Sequence, residues 1–471
     1  MMSDPPSFSS SNGVPVILIT TLAEYQTRFW AAVGQELRRR TLSVAFLSFD
    51  DRSTTMLRGM GFDTWCLEPG DVPRDVSDAT LGAAMDRFGI TNFPFWSSHE
   101  RFTFGLRDAE LRRKLLEYLS LAERACSRVT AGGGRAVMVQ ELGGFLSVIA
   151  SYYAARRAGM DNWFIEPAFF RGKLFFLKNS FAAPKVSQPV ADAVSPELAK
   201  YLADTQASGA IVVPKKDRHQ YTTAFRKILN GRNVVRLFQK LYDKYVLGKR
   251  QEFGYIGRYV SVHVRMLWNS MRLRGQYTPI QEAGRMVYYP LHVPGDMALT
   301  LRSPQYLDQL ALIDLMLRSV PHTHRVAIKE HPAMIGALDP SRLIELRRRY
   351  DNLVLLPPST NNYQAIRAAD LVVSVNSKSG AEAALLGKPV LVLGDAFYRH
   401  SPLVRALDDP GQLRTAIGES LQARADTHDL GQTARYFEAV WRGCCSGELY
   451  VCDGANVRVF TDSMLAMISQ T

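Results

Sequence analysis

A chain of 471 residues, 46% apolar and 22% charged, is long enough for two or three domains and too apolar to be disordered. No run approaches the roughly 18 apolar residues that cross a bilayer, and the early run Val14 to Thr20 has no basic stretch before it, so neither an integral membrane protein nor a secreted one is expected. Five cysteines, an odd number without a CxxC, suit reduced thiols in the cytoplasm. The charge is local: 57 basic and 45 acidic residues leave +12, and residues 215–274 alone hold 15 basic and 3 acidic ones.

Residues 1–13, rich in Ser and Pro, read as a disordered leader. VPVILIT (14–20) reads as a buried parallel strand, followed by a helix from Leu22 to Arg40. SVAFLSF (43–49) and FDTWCLE (62–68) read as further strands, 106–130 as helix, AVMVQE (136–141) as strand, 144–158 as helix and NWFIEP (162–167) as strand. A second α/β series starts near Arg285, with strands at 286–293, 325–330, 352–356, 371–375 and 389–393 and helices at 304–318, 340–350, 361–368 and 379–386. The tail from Gly411 reads as mostly helical, with a strand pair near 448–460. Strands alternating with helices at this spacing imply two parallel sheets with helices on both faces.

Open parallel sheets bind ligands beyond the carboxyl ends of their strands. In the second series those ends carry PGD (294–296), Lys329-Glu330-His331-Pro332, PPST (357–360), NSKSG (376–380) and GDAFY (394–398). Ser377 and Ser379 stand where a helix begins, so hydroxyls and free helix N–H groups can hold an anion. Simple N-capping explains them equally well. Gly380 would let a phosphate approach the backbone, and Glu382, one turn in, could accept bonds from ribose hydroxyls. Pro332 biases His331 toward extended backbone, where its imidazole can donate to a phosphate or protonate a leaving one. In the first series, Glu166 follows a predicted strand amid Trp163, Phe164, Ile165, Phe169 and Phe170. That apolar setting would raise its pKa toward that of a general base, unless it is a solvated loop carboxylate. Glu141 is the rival acid. The chain has no DxD triplet and no His/Cys/Asp cluster at metal spacing, so metal-independent chemistry is expected, with Lys329, His331 and a helix N-terminus neutralising the phosphate.

KEHP (329–332), SxSGxEAxxxGKPV (377–390) and GDAFY (394–398) resemble the capsular polysaccharide synthesis family, which includes Kdo transferases using CMP-activated sugar. The HP and Ser-rich motifs are also similar to those with which bacterial GT-B sialyltransferases hold the CMP phosphate. The resemblance implies an α/β, GT-B-like fold, two Rossmann-like domains facing a central cleft, here with a helical basic insertion. The family's E-(D/E)-G-aromatic-x-R motif aligns with FIEPAFFRG (164–172): Glu166, Phe169 and Arg171 match, while Pro167 and Ala168 replace the second acid and the glycine. Its Gln-x-x-x-Asp becomes His292 and Asp296.

The expected organisation is a leader (1–13), an N-terminal Rossmann-like acceptor domain (14–190), a basic helical linker or insertion (191–284), a nucleotide-sugar domain (285–405) and a helical tail packing on the lobes (406–471). The resemblance and the residues together imply a cytoplasmic glycosyltransferase of bacterial surface polysaccharide, peripheral on the inner membrane. It would move Kdo or a related ulosonic acid from a CMP-linked donor to a lipid-linked or polyanionic glycan, with no cofactor beyond the nucleotide sugar. Glu166 and His331 are the expected catalytic residues. Lys329, Pro332, Asn376, Ser377, Ser379, Gly380 and Glu382 are expected to bind the donor, with Glu141, Arg171, His292, Asp296 and Tyr398 as further candidates. A non-catalytic capsule-assembly protein and a UDP-sugar enzyme such as an epimerase are the alternatives. In 215–274, apolar residues from Phe225 to Val246 recur at helical spacing between Lys and Arg. That pattern suits an anionic membrane surface, or an insertion whose apolar stripe packs on the protein's own lobes. Nucleic acid is not an expected partner, because no recognised module accompanies the charge.

Overall fold

The computed structural model describes residues 15–186, 192–208, 231–422 and 430–470. The expected leader lies outside them. The chain forms two units: residues up to Phe181 with Gly231–Tyr259 and everything from Cys444, and Ala182–Asn230 with Val260–Gly443. The stretch 191–284 is thus shared between the units, and the tail divides at Cys444.

The first unit is built on β1 (Val16–Thr21), β2 (Val44–Ser48), β3 (Thr64–Trp65), β4 (Ala136–Glu141), β5 (Asp161–Pro167) and β6 (Lys173–Lys178). The second carries β7 (Met286–Pro290), β8 (Arg325–Lys329), β9 (Leu353–Leu356), β10 (Leu371–Ser374), β11 (Val390–Val392) and β12 (Val404–Ala406). A last strand, β13 (Cys445–Ser446), joins the first sheet. The sheet orders are β13-β6-β5-β4-β1-β2-β3 and β12-β11-β10-β7-β8-β9. Both contain the doubly wound order 3-2-1-4-5, in which strand succession reverses beside the first strand and opens a crevice there. The two Rossmann-like units implied by the GT-B resemblance are present.

Strands such as VILITT are buried at every position, because helices cover both faces and leave no side for polar residues. In the first unit, helix Glu24–Arg39 turns Phe29, Trp30, Val33 and Leu37 onto Ile17 and Ile19, and helix Gly454–Ser469 adds Phe460 and Met464. Phe29 and Phe460 meet edge to face at 4.9 Å. Truncating either ring to alanine removes core volume worth about 3–5 kcal/mol.

Three sequence expectations change. The first sheet is mixed, since β6 and β13 run antiparallel to their neighbours; Gly172, at φ 70°, makes the tight return after Arg171. FDTWCLE contributes only Thr64–Trp65 as strand. The strand pair near 448–460 is absent: 448–453 is irregular and the rest is the start of helix Gly454–Ser469, whose Asp453 caps the Asn456 N–H at 2.9 Å. Val457, Phe460, Met464 and Ile468 are buried there at helical spacing, which outweighs the β-propensity of the valines.

Candidate functional site

The carboxyl edge of the second sheet brings most of the expected residues together. Lys329 is the last residue of β8, and its side chain turns inward until only 4% of the residue is exposed. Among the described residues its ammonium has no hydrogen-bond partner. Burial pulls its pKa down to about 8, and the nearby Glu382 carboxylate limits the fall. Glu382 lies on helix Lys378–Leu385, also 4% exposed. Burial raises its pKa to about 7, opposed by a hydrogen bond from Asn362 and by the charges of Lys378 and Lys329.

Asn362 organises this cluster. Its Nδ2 donates to Glu382 Oε2 at 2.7 Å and to Ser379 Oγ at 3.0 Å, while its Oδ1 accepts from the Tyr288 hydroxyl at 2.9 Å. Neither Asn362 nor Tyr288 was singled out from the sequence. The available signal was the Asn361-Asn362 pair after PPST, where Asn361 caps the helix by accepting from Tyr363 N–H at 2.8 Å.

Beyond β8, His331 Nδ1 accepts the Ala333 N–H at 3.2 Å, so in the neutral ring Nε2 carries the proton and can donate. Pro332 opens the turn, closed by Met334 N–H on the His331 carbonyl at 2.8 Å. Glu330 anchors that turn, accepting from Gly336 N–H at 2.8 Å and from the Tyr277 hydroxyl at 3.2 Å. After β7, the backbone of His292 is clamped by Gln309, which accepts its N–H at 2.8 Å and donates to its carbonyl at 3.2 Å. The ring is buried, its Nε2 has no hydrogen-bond partner among the described residues, and burial together with the neighbouring His331 pushes its pKa down to about 3. His292 is therefore a neutral imidazole. Asp296 stands at the start of the short helix Met297–Thr300.

The serine loop after β10 divides its duties. Ser377 Oγ caps the helix by accepting Ser379 N–H at 3.2 Å, the N-capping reading. Asn376 Nδ2 donates to the Ala298 carbonyl at 2.5 Å and to Ser303 Oγ at 3.2 Å, tying the loop across the strand-order reversal. Gly380 is required for a reason other than phosphate approach: a Cβ there would sit 2.3 Å from the Tyr398 hydroxyl. That hydroxyl contacts Ser374 Oγ at 2.9 Å and donates to the Ser377 carbonyl at 2.7 Å. Tyr398 is fully buried, so it supports the loop from beneath and presents nothing to a ligand.

In the first unit, Glu141 ends β4 and Glu166 lies within β5, opposite Phe175 of β6, and not in a loop after the strand. Glu141 is in register with Ile165, so strand alternation turns Glu141 and Glu166 to opposite faces. They do not form a carboxylate pair. Glu141 accepts from Trp30 Nε1 at 3.0 Å, from Gln26 Nε2 at 3.5 Å and from the hydroxyl of Tyr450, a residue in the left-handed region at φ 66°. Glu166 is half-buried and Arg171 exposed, with Phe169 and Phe170 buried between them.

In the basic stretch, residues 215–230, including Phe225, Ile228 and Leu229, lie outside the described residues. Helix Gly231–Tyr245 carries exposed Phe238, Tyr242 and Tyr245.

The sequence profile described as "capsule polysaccharide biosynthesis protein" matches residues 150–408, more than half of the chain. The chain belongs to the capsule polysaccharide biosynthesis family. The matched span holds Glu166 and the whole Lys329–Glu382 cluster, whereas Glu141 lies before it. The chain is also 33% identical over 144 residues to protein FixF of Sinorhizobium fredii, a match spanning 30% of this chain and 34% of that one. Among solved structures it is similar to the β-Kdo 2,7 transferase of Thermosulfurimonas dismutans KpsC, at 14% identity and a TM-score of 0.37, covering 73% of this chain and 89% of that one. A Listeria monocytogenes protein described as a "putative UDP-N-acetylglucosamine 2-epimerase" matches at 8% identity and a TM-score of 0.30, over 97% and 98% of the two chains. Among the described residues no helix is long and apolar enough to cross a membrane, and no three His, Cys, Asp or Glu side chains group as metal ligands.

Proposed function

We propose that this protein is a glycosyltransferase of capsule assembly that moves Kdo or a related ulosonic acid from a CMP-linked donor to a lipid-linked or polyanionic glycan at the inner membrane. The observation that carries the reading is the buried Lys329 ammonium, without a hydrogen-bond partner among the described residues, at the carboxyl edge of a Rossmann-like sheet. A buried cation is costly unless an anion completes it, and a phosphate supplies that anion. His331 Nε2–H adds a donor to the same phosphate, and the positive end of helix Lys378–Leu385 adds its field. Glu382, oriented by Asn362, receives the ribose hydroxyls.

In the reaction, the bond between the anomeric carbon and the CMP phosphate oxygen breaks while the acceptor oxygen bonds to that carbon. The developing charge on the leaving phosphate is stabilised by Lys329 and His331 without a metal, and Glu166 takes the acceptor's proton. The replacement of the second acid by Pro167 favours a second reading, a capsule-assembly protein that binds nucleotide without turnover.

The deciding experiment is release of CMP from CMP-Kdo with a capsular acceptor, run beside thermal shift with CMP and UDP. CMP stabilisation and turnover are expected. Stabilisation by CMP without turnover would leave the assembly protein, and stabilisation by UDP alone would move the site to UDP-sugar chemistry.

A further inference from the structure

Helix Ile256–Leu273 carries apolar residues on both its buried and its exposed side. On its inner side Met266, Asn269 and Leu273 are buried, and Asn269 Nδ2 donates to the carbonyls of Gly336 at 2.9 Å and Leu338 at 3.3 Å. A Cβ on Gly336 would stand 2.1 Å from the Met266 carbonyl oxygen, so this contact is backbone against backbone. The outer side carries Val260, Val264, Trp268 and Met271, at 40%, 57%, 63% and 43% exposure. Spacings of four, four and three residues place them on one stripe, about 16 Å long at the helical rise. Single exposed apolar residues need no explanation. Here an aromatic and three aliphatic residues are aligned outward while an asparagine is buried beneath them.

The charge around the stripe has one sign. Exposed Arg265, Arg272 and Arg274 border it, and no Asp or Glu occurs between Phe253 and Gln281. A face that met only water would mix charges, and a neutral apolar partner would leave the three positive charges unanswered, Arg272 having only the neutral Ser341 hydroxyl at 3.2 Å. An anionic lipid surface satisfies both features, taking the apolar stripe below the headgroups and the arginines among the phosphates.

We propose that the Val260–Met271 face of this helix docks the protein on anionic bilayer, with Trp268 at the headgroup boundary. The proposal refines the membrane-side acceptor of the preceding section, and it is tested without any turnover.

The full chain is co-sedimented, without nucleotide, with vesicles of phosphatidylcholine alone and with added phosphatidylglycerol, at low and high salt. Salt-sensitive binding to the anionic vesicles only is expected. Val264→Ser with Trp268→Ser should weaken it about tenfold, and Arg265→Gln with Arg274→Gln about 25-fold, at about fivefold for each basic residue near the surface. Circular dichroism melts of these exposed variants should match wild type. Absence of binding, equal binding to neutral vesicles, or full binding by the Val264/Trp268 variant overturns the proposal. So does a wild-type dimer in sedimentation velocity that Trp268→Ser dissociates, which would make a second copy the occupant. Lipid binding that persists while CMP is never released would refute the transferase reading and leave this one standing.

Discussion

Lys329 and Glu382 are buried to the same extent, each 4% exposed, with titration points drawn together to about 8 and about 7. Burial disfavours both charges, lowering the lysine and raising the glutamate, and their mutual attraction restrains each shift. The pair holds its charges loosely near neutrality, which suits a site that an anion completes.

Glu382 should make stability fall with rising pH. Its folded pKa lies above the unfolded value, so the folded chain holds the extra proton. The resulting stabilisation is full below about 4.5 and lost as pH passes about 7. Glu382→Gln keeps an acceptor for Asn362 but cannot ionise. Relative to wild type, it should be more stable at pH 9 than at pH 5, by a few kcal/mol given about 1.4 kcal/mol per pKa unit. Thermal melts at the two pH values check this, and an unchanged difference would refute it.

Nucleotide binding should take up protons on the alkaline side. Near pH 9 the Lys329 amine is largely neutral, and a phosphate beside it would restore the ammonium. Calorimetry of CMP binding in buffers of different ionisation enthalpy should show net uptake at pH 9 that disappears in Lys329→Met. Uptake unchanged in that variant would assign the proton elsewhere.

His331→Ala should lower turnover by roughly 10²-fold or more, the range for loss of one donor to developing negative charge, and weaken CMP binding. Steady-state kinetics and CMP titration measure both, and wild-type values would remove His331 from the site.

The two acids of the first unit should behave differently. Glu166→Gln should leave CMP affinity near wild type while reducing transfer about 10²-fold. Glu141→Gln leaves the Tyr450 hydroxyl and the Trp30 and Gln26 donors around a neutral amide. It should destabilise the fold by about 1–3 kcal/mol. Loss of transfer only in the Glu141 variant would reverse the assignment.

The buried strands, the loops at their carboxyl ends and the placement of Lys329, His331 and Ser379 on one edge were legible in the sequence. Continuous apolar runs, short loops and prolines are local signals, and a parallel sheet allows few arrangements of them. The role of Asn362 was not legible, because its partners lie 20 residues away at Glu382 and 74 away at Tyr288. Periodicity marks a position as buried without naming what it touches. The same limit hid Tyr398 beneath Gly380 and the opposed faces of Glu141 and Glu166.

The sequence by itself therefore determined the two α/β series, the edge that gathers Lys329, His331 and Ser379, and the place of the basic charge, since each depends on residues close together along the chain. Tertiary structure alone decided which serine caps, that Glu141 is held by Trp30, Gln26 and Tyr450, that the chain from Cys444 returns to the first sheet, and that Trp268 faces outward while Asn269 is buried. Each of those outcomes is set by contacts between distant segments, where packing and hydrogen-bond satisfaction override local propensity.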